Sequence, residues 1–147
     1  MIKIGKNISE FSVYSCQPKT KKELEKIVED RINKEGLNCD LNDIDVSLID
    51  NMSYLFYGIK FNGDISEWNV SNVINMEFMF GYTNFNGNIS KWDVSKVKYM
   101  SHMFERSNFN KDISNWNLRK DCIARYMFAG CPIKEEYKPK SLQKCSK

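Results

Sequence analysis

The sequence is poor in the groups that usually do chemistry. It holds one histidine, His102, and its five cysteines, Cys16, Cys39, Cys122, Cys131 and Cys145, form no CxxC pair. Zinc sites depend on closely spaced Cys and His ligands, so this spacing argues against one. An odd number of irregularly placed cysteines fits free thiols in a reducing compartment. No P-loop, dinucleotide fingerprint or nucleophile elbow occurs. The N-terminal stretch MIKIGKNISEFSVYS lacks an apolar run of signal-peptide length, and no stretch is long and apolar enough to span a bilayer. These absences predict a protein that is not an enzyme, with no cofactor, no metal and no membrane partner. They place the chain as written in the cytoplasm, or at a cell surface if it is a fragment of a longer exported protein.

What the sequence has is size, charge asymmetry and a repeat. At 147 residues with 41% hydrophobic and 28% charged side chains, it can bury a core as one domain. The net charge is only +3, but its distribution is uneven. Residues 1–37 carry 8 basic and 6 acidic side chains, residues 38–93 carry 2 and 8, and residues 94–147 carry 12 and 5. An acidic front half and a basic rear half would steer a charged partner; drift in the composition of solvated faces gives the same pattern.

The stretch ISEWNVSNVINMEFMFGYTNF, residues 65–85, returns 24 residues later as ISKWDVSKVKYMSHMFERSNF. Aligned by that step, Ile44, Trp68, Trp92 and Trp116 share a column, as do Phe56, Phe80, Phe104 and Phe128. Leu41, Ile65, Ile89 and Ile113 form another, with further apolar columns at Val46, Leu55 and Phe61 and their equivalents. A fixed period of this length is the mark of a stacked repeat of leucine-rich-repeat type. Within each unit, Ile65, Trp68 and Val70 suggest an inward-facing strand, Ser71 an N-cap, and Val73, Met76, Met79 and Phe80 a helical face. The turns Asn62-Gly63-Asp64, Asn86-Gly87-Asn88 and Asn110-Lys111-Asp112 close the units. The expected fold is therefore α/β: a leucine-rich-repeat-like solenoid with one short strand and one short helix per 24-residue repeat. Its strands would form a parallel sheet and its helices the convex face.

The repeats have a lead-in and a tail. Thr20-Lys-Lys-Glu23 is a capping-box pattern, and Leu24, Ile27, Val28 and Ile32 follow at helical spacing up to Gly36. This amphipathic helix, with a short strand before it around Phe11–Cys16, suits the cap that a stack needs over its open end. The expected organisation is a cap over residues 1–40, a four-repeat solenoid over 41–133 and a polar, loose tail over 134–147.

The frame I-S-x-W-x-V-S-x-V-x-x-M-x-x-M-F, followed by FN and an Asp or Asn, resembles the BspA-like leucine-rich-repeat proteins of bacteria across residues 41–133. The close FAGCPI, Phe128 to Ile133, is similar to the F-x-x-C-x-x-L end of treponemal-type repeats. The resemblance implies a repeat scaffold often tied to adhesion and host-protein binding; the chain departs from that family in lacking a signal peptide, lipobox or wall anchor.

Function is therefore expected in binding. Residues alternating with the core columns would project from the strand face: Asp43, Glu67, Lys91 and Asn115 in one row, and Asp45, Asn69, Asp93 and Asn117 in the next. This acid-leaning surface is the first candidate for a protein partner. The convex aromatic column Tyr54, Phe78, His102 and Tyr126, with Tyr82 and Tyr99 nearby, is the second, because exposed aromatics are typical hot spots. The expected function is a non-catalytic protein–protein interaction module acting through the strand face. The alternative is a soluble intracellular inhibitor or decoy, of the kind a mobile element encodes, covering a basic nucleic-acid-handling protein. Direct nucleic-acid binding by the basic rear half ranks below both. Plain solvent exposure accounts for either surface, and Asp40, Asp64, Asn88 and Asp112 are expected to shape turns rather than hold calcium.

Overall fold

A computed structural model of the chain describes residues 3–4 and 11–144; Cys145 lies outside the described residues. Two short strands, β1 (Lys3–Ile4) and β2 (Phe11–Ser12), pair antiparallel. The helix expected after Thr20 forms as α1, Lys21–Glu35. Thr20 Oγ1 accepts the Glu23 N–H at 3.1 Å, and the Glu23 carboxylate accepts the Lys19 N–H at 2.8 Å, so two orphan amides are satisfied at its start. Gly36, at φ 96°, ends α1 and donates its N–H to the Ile32 carbonyl. Leu24 and Val28 are buried, and Ile27 and Ile32 pack on the same core.

Residues 41–133 contain neither an α-helix nor a strand longer than an isolated bridge, which overturns the expected strand-plus-helix leucine-rich-repeat solenoid. Each copy is instead a series of tight turns. In the second copy the N–H groups of Trp68, Val73 and Met79 bond the carbonyls of Ile65, Val70 and Met76, three residues back. Spacings of three and four between apolar residues arise from these turns and mimic a helical face. A helix is barred by two left-handed residues per copy: φ is +56° at Phe78 and +57° at Tyr82, and Tyr54, His102, Arg106 and Tyr126 match them, with Gly58 and Gly130 completing the second column.

The expected strand fails for a different reason. Asp64, Asn88 and Asp112 accept through Oδ1 from the N–H groups of Ser66, Ser90 and Ser114, two residues on. Asp45, Asn69 and Asp93 do the same for Ser47, Ser71 and Ser95. Such side-chain bonds offer the backbone an alternative to extended pairing and fold each segment into a turn. The serines expected as helix N-caps thus receive side-chain acceptors rather than supply them.

Backbone pairing does occur, but between copies and along the stretch expected to be helical. Met52, Tyr54, Phe56 and Gly58 donate to the carbonyls of Asn75, Glu77, Met79 and Gly81; Met76, Phe78, Phe80 and Tyr82 donate to the next copy; Met100, His102, Phe104 and Arg106 donate to Ile123, Arg125, Met127 and Ala129. These bonds run from 2.7 to 3.1 Å. Parallel bridges link Asn51, Asn75, Tyr99 and Ile123 in a line. The copies therefore stack in register, one coil above the next.

Side chains repeat the same step. Phe56, Phe80, Phe104 and Phe128 stack with ring centroids 5.5 to 5.7 Å apart. The indole N–H groups of Trp68, Trp92 and Trp116 bond the carbonyls of Leu41, Ile65 and Ile89 in the preceding coil, so a buried ring carries no unsatisfied donor. Asn62, Asn86 and Asn110 accept through Oδ1 from the N–H groups of Asn86, Asn110 and Lys134. At Gly63 any side chain would collide, since a Cβ there would lie 2.1 Å from the Cys39 carbonyl oxygen. The tail expected to be loose packs onto the last coil: Ile113 donates to the Tyr137 carbonyl, Pro139 is buried, and Lys138 lies over the Phe128 ring.

Candidate interaction surfaces

The aromatic column is a continuous stack. Tyr54 and Phe78 lie 4.8 Å apart between centroids, Phe78 and His102 4.3 Å, and His102 and Tyr126 5.3 Å. Tyr57 meets Tyr54, Phe78 and Tyr82 edge-on, which widens the row into a strip. The strip is open to solvent: Tyr54 is 50% exposed and Tyr126 69%. His102 Nδ1 lies 2.7 Å from Glu105, which fixes its ring in the row. Each ring of the column is carried by a left-handed residue, with φ between +55° and +61°. For residues with a Cβ this conformation costs roughly 1–2 kcal/mol, so the backbone that builds the row is strained once per copy. Tyr82 was expected near the column, but Tyr57 was not among the residues expected from the sequence, because its exposure follows from the turn and not from a helical face.

The polar rows expected on a strand face are placed differently. Asp43 is tied down, accepting from both Ser15 Oγ and Arg31 Nη1, the latter at 2.9 Å. Burial pushes the Asp43 carboxyl up, but the Ser15 and Arg31 bonds outweigh it and hold it below the ordinary carboxylate range. Asp45 receives Gln17 Nε2 at 2.9 Å, and the segment around Cys16 pairs with Ile44 as one more short rung. The N-terminal cap thus covers the front of this surface. Asn69 and Asp93 are exposed but spend an oxygen on their own turns. Glu67 and Lys91 face each other at 3.7 Å across a groove of about 460 Å³ that also includes Asp64 and Asn88. Asn115 and Asn117 are exposed on the fourth copy, where Asn115 Nδ2 bonds the Ser90 carbonyl. The two rows keep an acidic excess, four carboxylates against Lys91, although Asp43 is paired with Arg31 and Glu67 with Lys91.

Among the described residues no group of three or more His, Cys, Asp or Glu side chains is arranged to hold a metal ion. Burial pushes the thiols of Cys39, Cys122 and Cys131 up, which keeps them protonated and poorly nucleophilic. Cys131 Sγ sits 3.1 Å from the Phe109 carbonyl oxygen as part of the packing between the last two coils. No helix among the described residues is long and apolar enough to cross a membrane.

Together these features define a small repeat protein of four turn-built coils, joined by backbone and ring ladders and capped by one helix. Residues 22–139 match the family described as Mycoplasma protein of unknown function, DUF285, and the chain belongs to that family. The match supplies no leucine-rich-repeat assignment, in keeping with the turn-built coils. No curated protein and no solved structure shows significant similarity to the chain.

Proposed function

We propose that the chain is a non-catalytic protein-binding module whose contact surface is the strip Tyr54, Phe78, His102 and Tyr126, flanked by Tyr57 and Tyr82. The observation that carries this is the placing of four rings at a left-handed backbone position, once in every coil. Glycine or asparagine would sit there at lower cost, so stability of the bend alone does not call for aromatics. Aromatic side chains lose little freedom on binding and contribute large contact area. The likeness of the repeat wording to BspA-like proteins supports a role in protein recognition.

The test is a photo-crosslinking amino acid introduced at Tyr82 in the native cell, with the same group at Glu25 on α1 as control. Adducts to a protein are expected from position 82 and lost when Tyr54 and Phe78 are both changed to Gly. Equal adducts from both positions, or adducts that survive the double change, would remove the strip from the interface.

A further inference from the structure

Most bonds of the ladder between coils run one way, with one returned at each bridge (Asn75 to Asp50, Tyr99 to Ile74, Ile123 to Lys98), and the ladder ends with a row of donors facing outward. In each of the first three coils, four N–H groups at alternating positions point into the next coil. In the fourth coil the equivalent groups are those of Ala124, Tyr126, Phe128 and Gly130, and among the described residues nothing accepts from them. The C-terminal segment folds over the core nearby through Tyr137, Pro139 and Leu142. Its bonds to the stack are made by the Tyr137 carbonyl, which accepts from Ile113, and the Lys134 N–H, and neither reaches this row. At the other end of the stack, α1 covers the first coil, with Lys21 Nζ bonding Ser53 Oγ and Leu24 and Val28 in the core. The stack is therefore closed at its start and open, along one row of backbone donors, at its finish.

We infer that this row is a docking edge for an acidic, extended peptide, which adds one more rung to the ladder through its own carbonyl groups. Three observations define that occupant. Over residues 124–130 the edge offers donors, at the alternating spacing that a parallel backbone meets with carbonyls. Just before them it offers one carbonyl, that of Cys122, in the place where Asp50, Ile74 and Lys98 accept from the following coil. The fourth coil and the segment after it have a cationic excess. Lys120, Arg125 and Lys134 (the last over the Tyr137 ring) are exposed with no carboxylate at ion-pair distance among the described residues. Against them stands one exposed carboxylate without an ion pair among the described residues, Glu136, while Asp121 is neutralised by Arg119 at 2.8 Å. The rung must also bend where the coils bend, at two left-handed residues four positions apart, as at Phe78 and Tyr82. A peptide with glycine at two positions four apart follows that path without strain. The site uses backbone groups of the last coil and shares only Tyr126 with the ring strip, through its N–H and not its ring. The exchange of these amides therefore tests it separately from the proposed contact surface.

Residue-resolved hydrogen exchange tests it, with a synthetic acidic peptide of about ten residues carrying the two glycines as probe. In the free protein the amides of Tyr126, Phe128 and Gly130 exchange fast while those of His102, Phe104 and Arg106 are protected. Adding the peptide slows the first set by more than about tenfold; a lysine-substituted peptide does not, and the K120E/R125E variant, whose melting temperature is unchanged, loses most of the effect. Three results overturn the inference: no slowing at millimolar peptide, slowing that appears with protein concentration alone (a second copy on the edge), or equal slowing by an oligonucleotide of the same charge.

Discussion

At the scale of single residues, two features make sharp predictions. The first is the left-handed ring. Tyr126→Gly relieves backbone strain of roughly 1–2 kcal/mol and removes its ring contact with His102, worth about 0.5–1.5 kcal/mol. The two effects nearly offset, so chemical denaturation should place the variant within about 1 kcal/mol of the parent. A much larger loss would mean that the strip is structural packing. The second is the turn-forming carboxylate. Asp64 is held below the ordinary carboxylate range first by the Ser66 N–H, and Asp93 and Asp112 first by the hydroxyls of Ser95 and Ser114. A depressed folded-state pKa means the stabilisation is complete above the unfolded value of about 3.9 and disappears as pH falls through the folded value. Urea midpoints should therefore drop below about pH 4. The D64N/D93N/D112N variant should flatten that acid limb, because Asn88 already makes the same turn without titrating. An unchanged limb would show that these bonds are not what acid breaks.

At the scale of elements, α1 was legible in the sequence because its signals are local: a cap, a face and a glycine stop. Thr20→Ala should cost about 1 kcal/mol in a denaturation experiment, the usual loss for an N-cap hydroxyl; no loss would mean the Lys19–Glu23 bond holds the start unaided. The repeat was equally legible, since all six apolar columns lie in the buried core over the first three copies. Its secondary structure was not. The spacing Val73, Met76, Met79, Phe80 fits a helix and a pair of turns equally well, and only the sign of φ at Phe78 and Tyr82 decides between them. Bulky residues rarely adopt that sign, so residue type argued the wrong way. The strand was misread because Asn69 and Asp93 look like outward-facing alternates when their oxygens are in fact turned back on the Ser71 and Ser95 amides. For the candidate surfaces the consequence is mixed. The aromatic column was legible as a column with Tyr82 nearby, but its stacking and its extension by Tyr57 depend on the turn. The capture of Asp43 and Asp45 by residues 15–31 is a long-range contact that no local pattern reveals.

At the scale of the whole molecule, the stack makes each coil dependent on its neighbours. Trp92 illustrates this: it is buried, stacks on Trp116 at 6.4 Å and donates to the Ile65 carbonyl, so it binds the second, third and fourth coils together. Trp92→Ala should cost roughly 3–5 kcal/mol and leave the chain unfolded or molten, read as loss of a cooperative melt; a melt within a degree of the parent would remove Trp92 from the core. The organisation that places both the ring strip and the open edge is the ladder between coils, and amide hydrogen exchange across the native chain tests it most directly. The ladder predicts slow exchange at Tyr54, Phe78 and His102, which donate to the next coil, and fast exchange at Asn69, Asp93 and Tyr126, which donate to nothing among the described residues. Protection of Asn69 and Asp93, with Phe78 and His102 exchanging freely, would contradict it and restore a strand where the turns now stand.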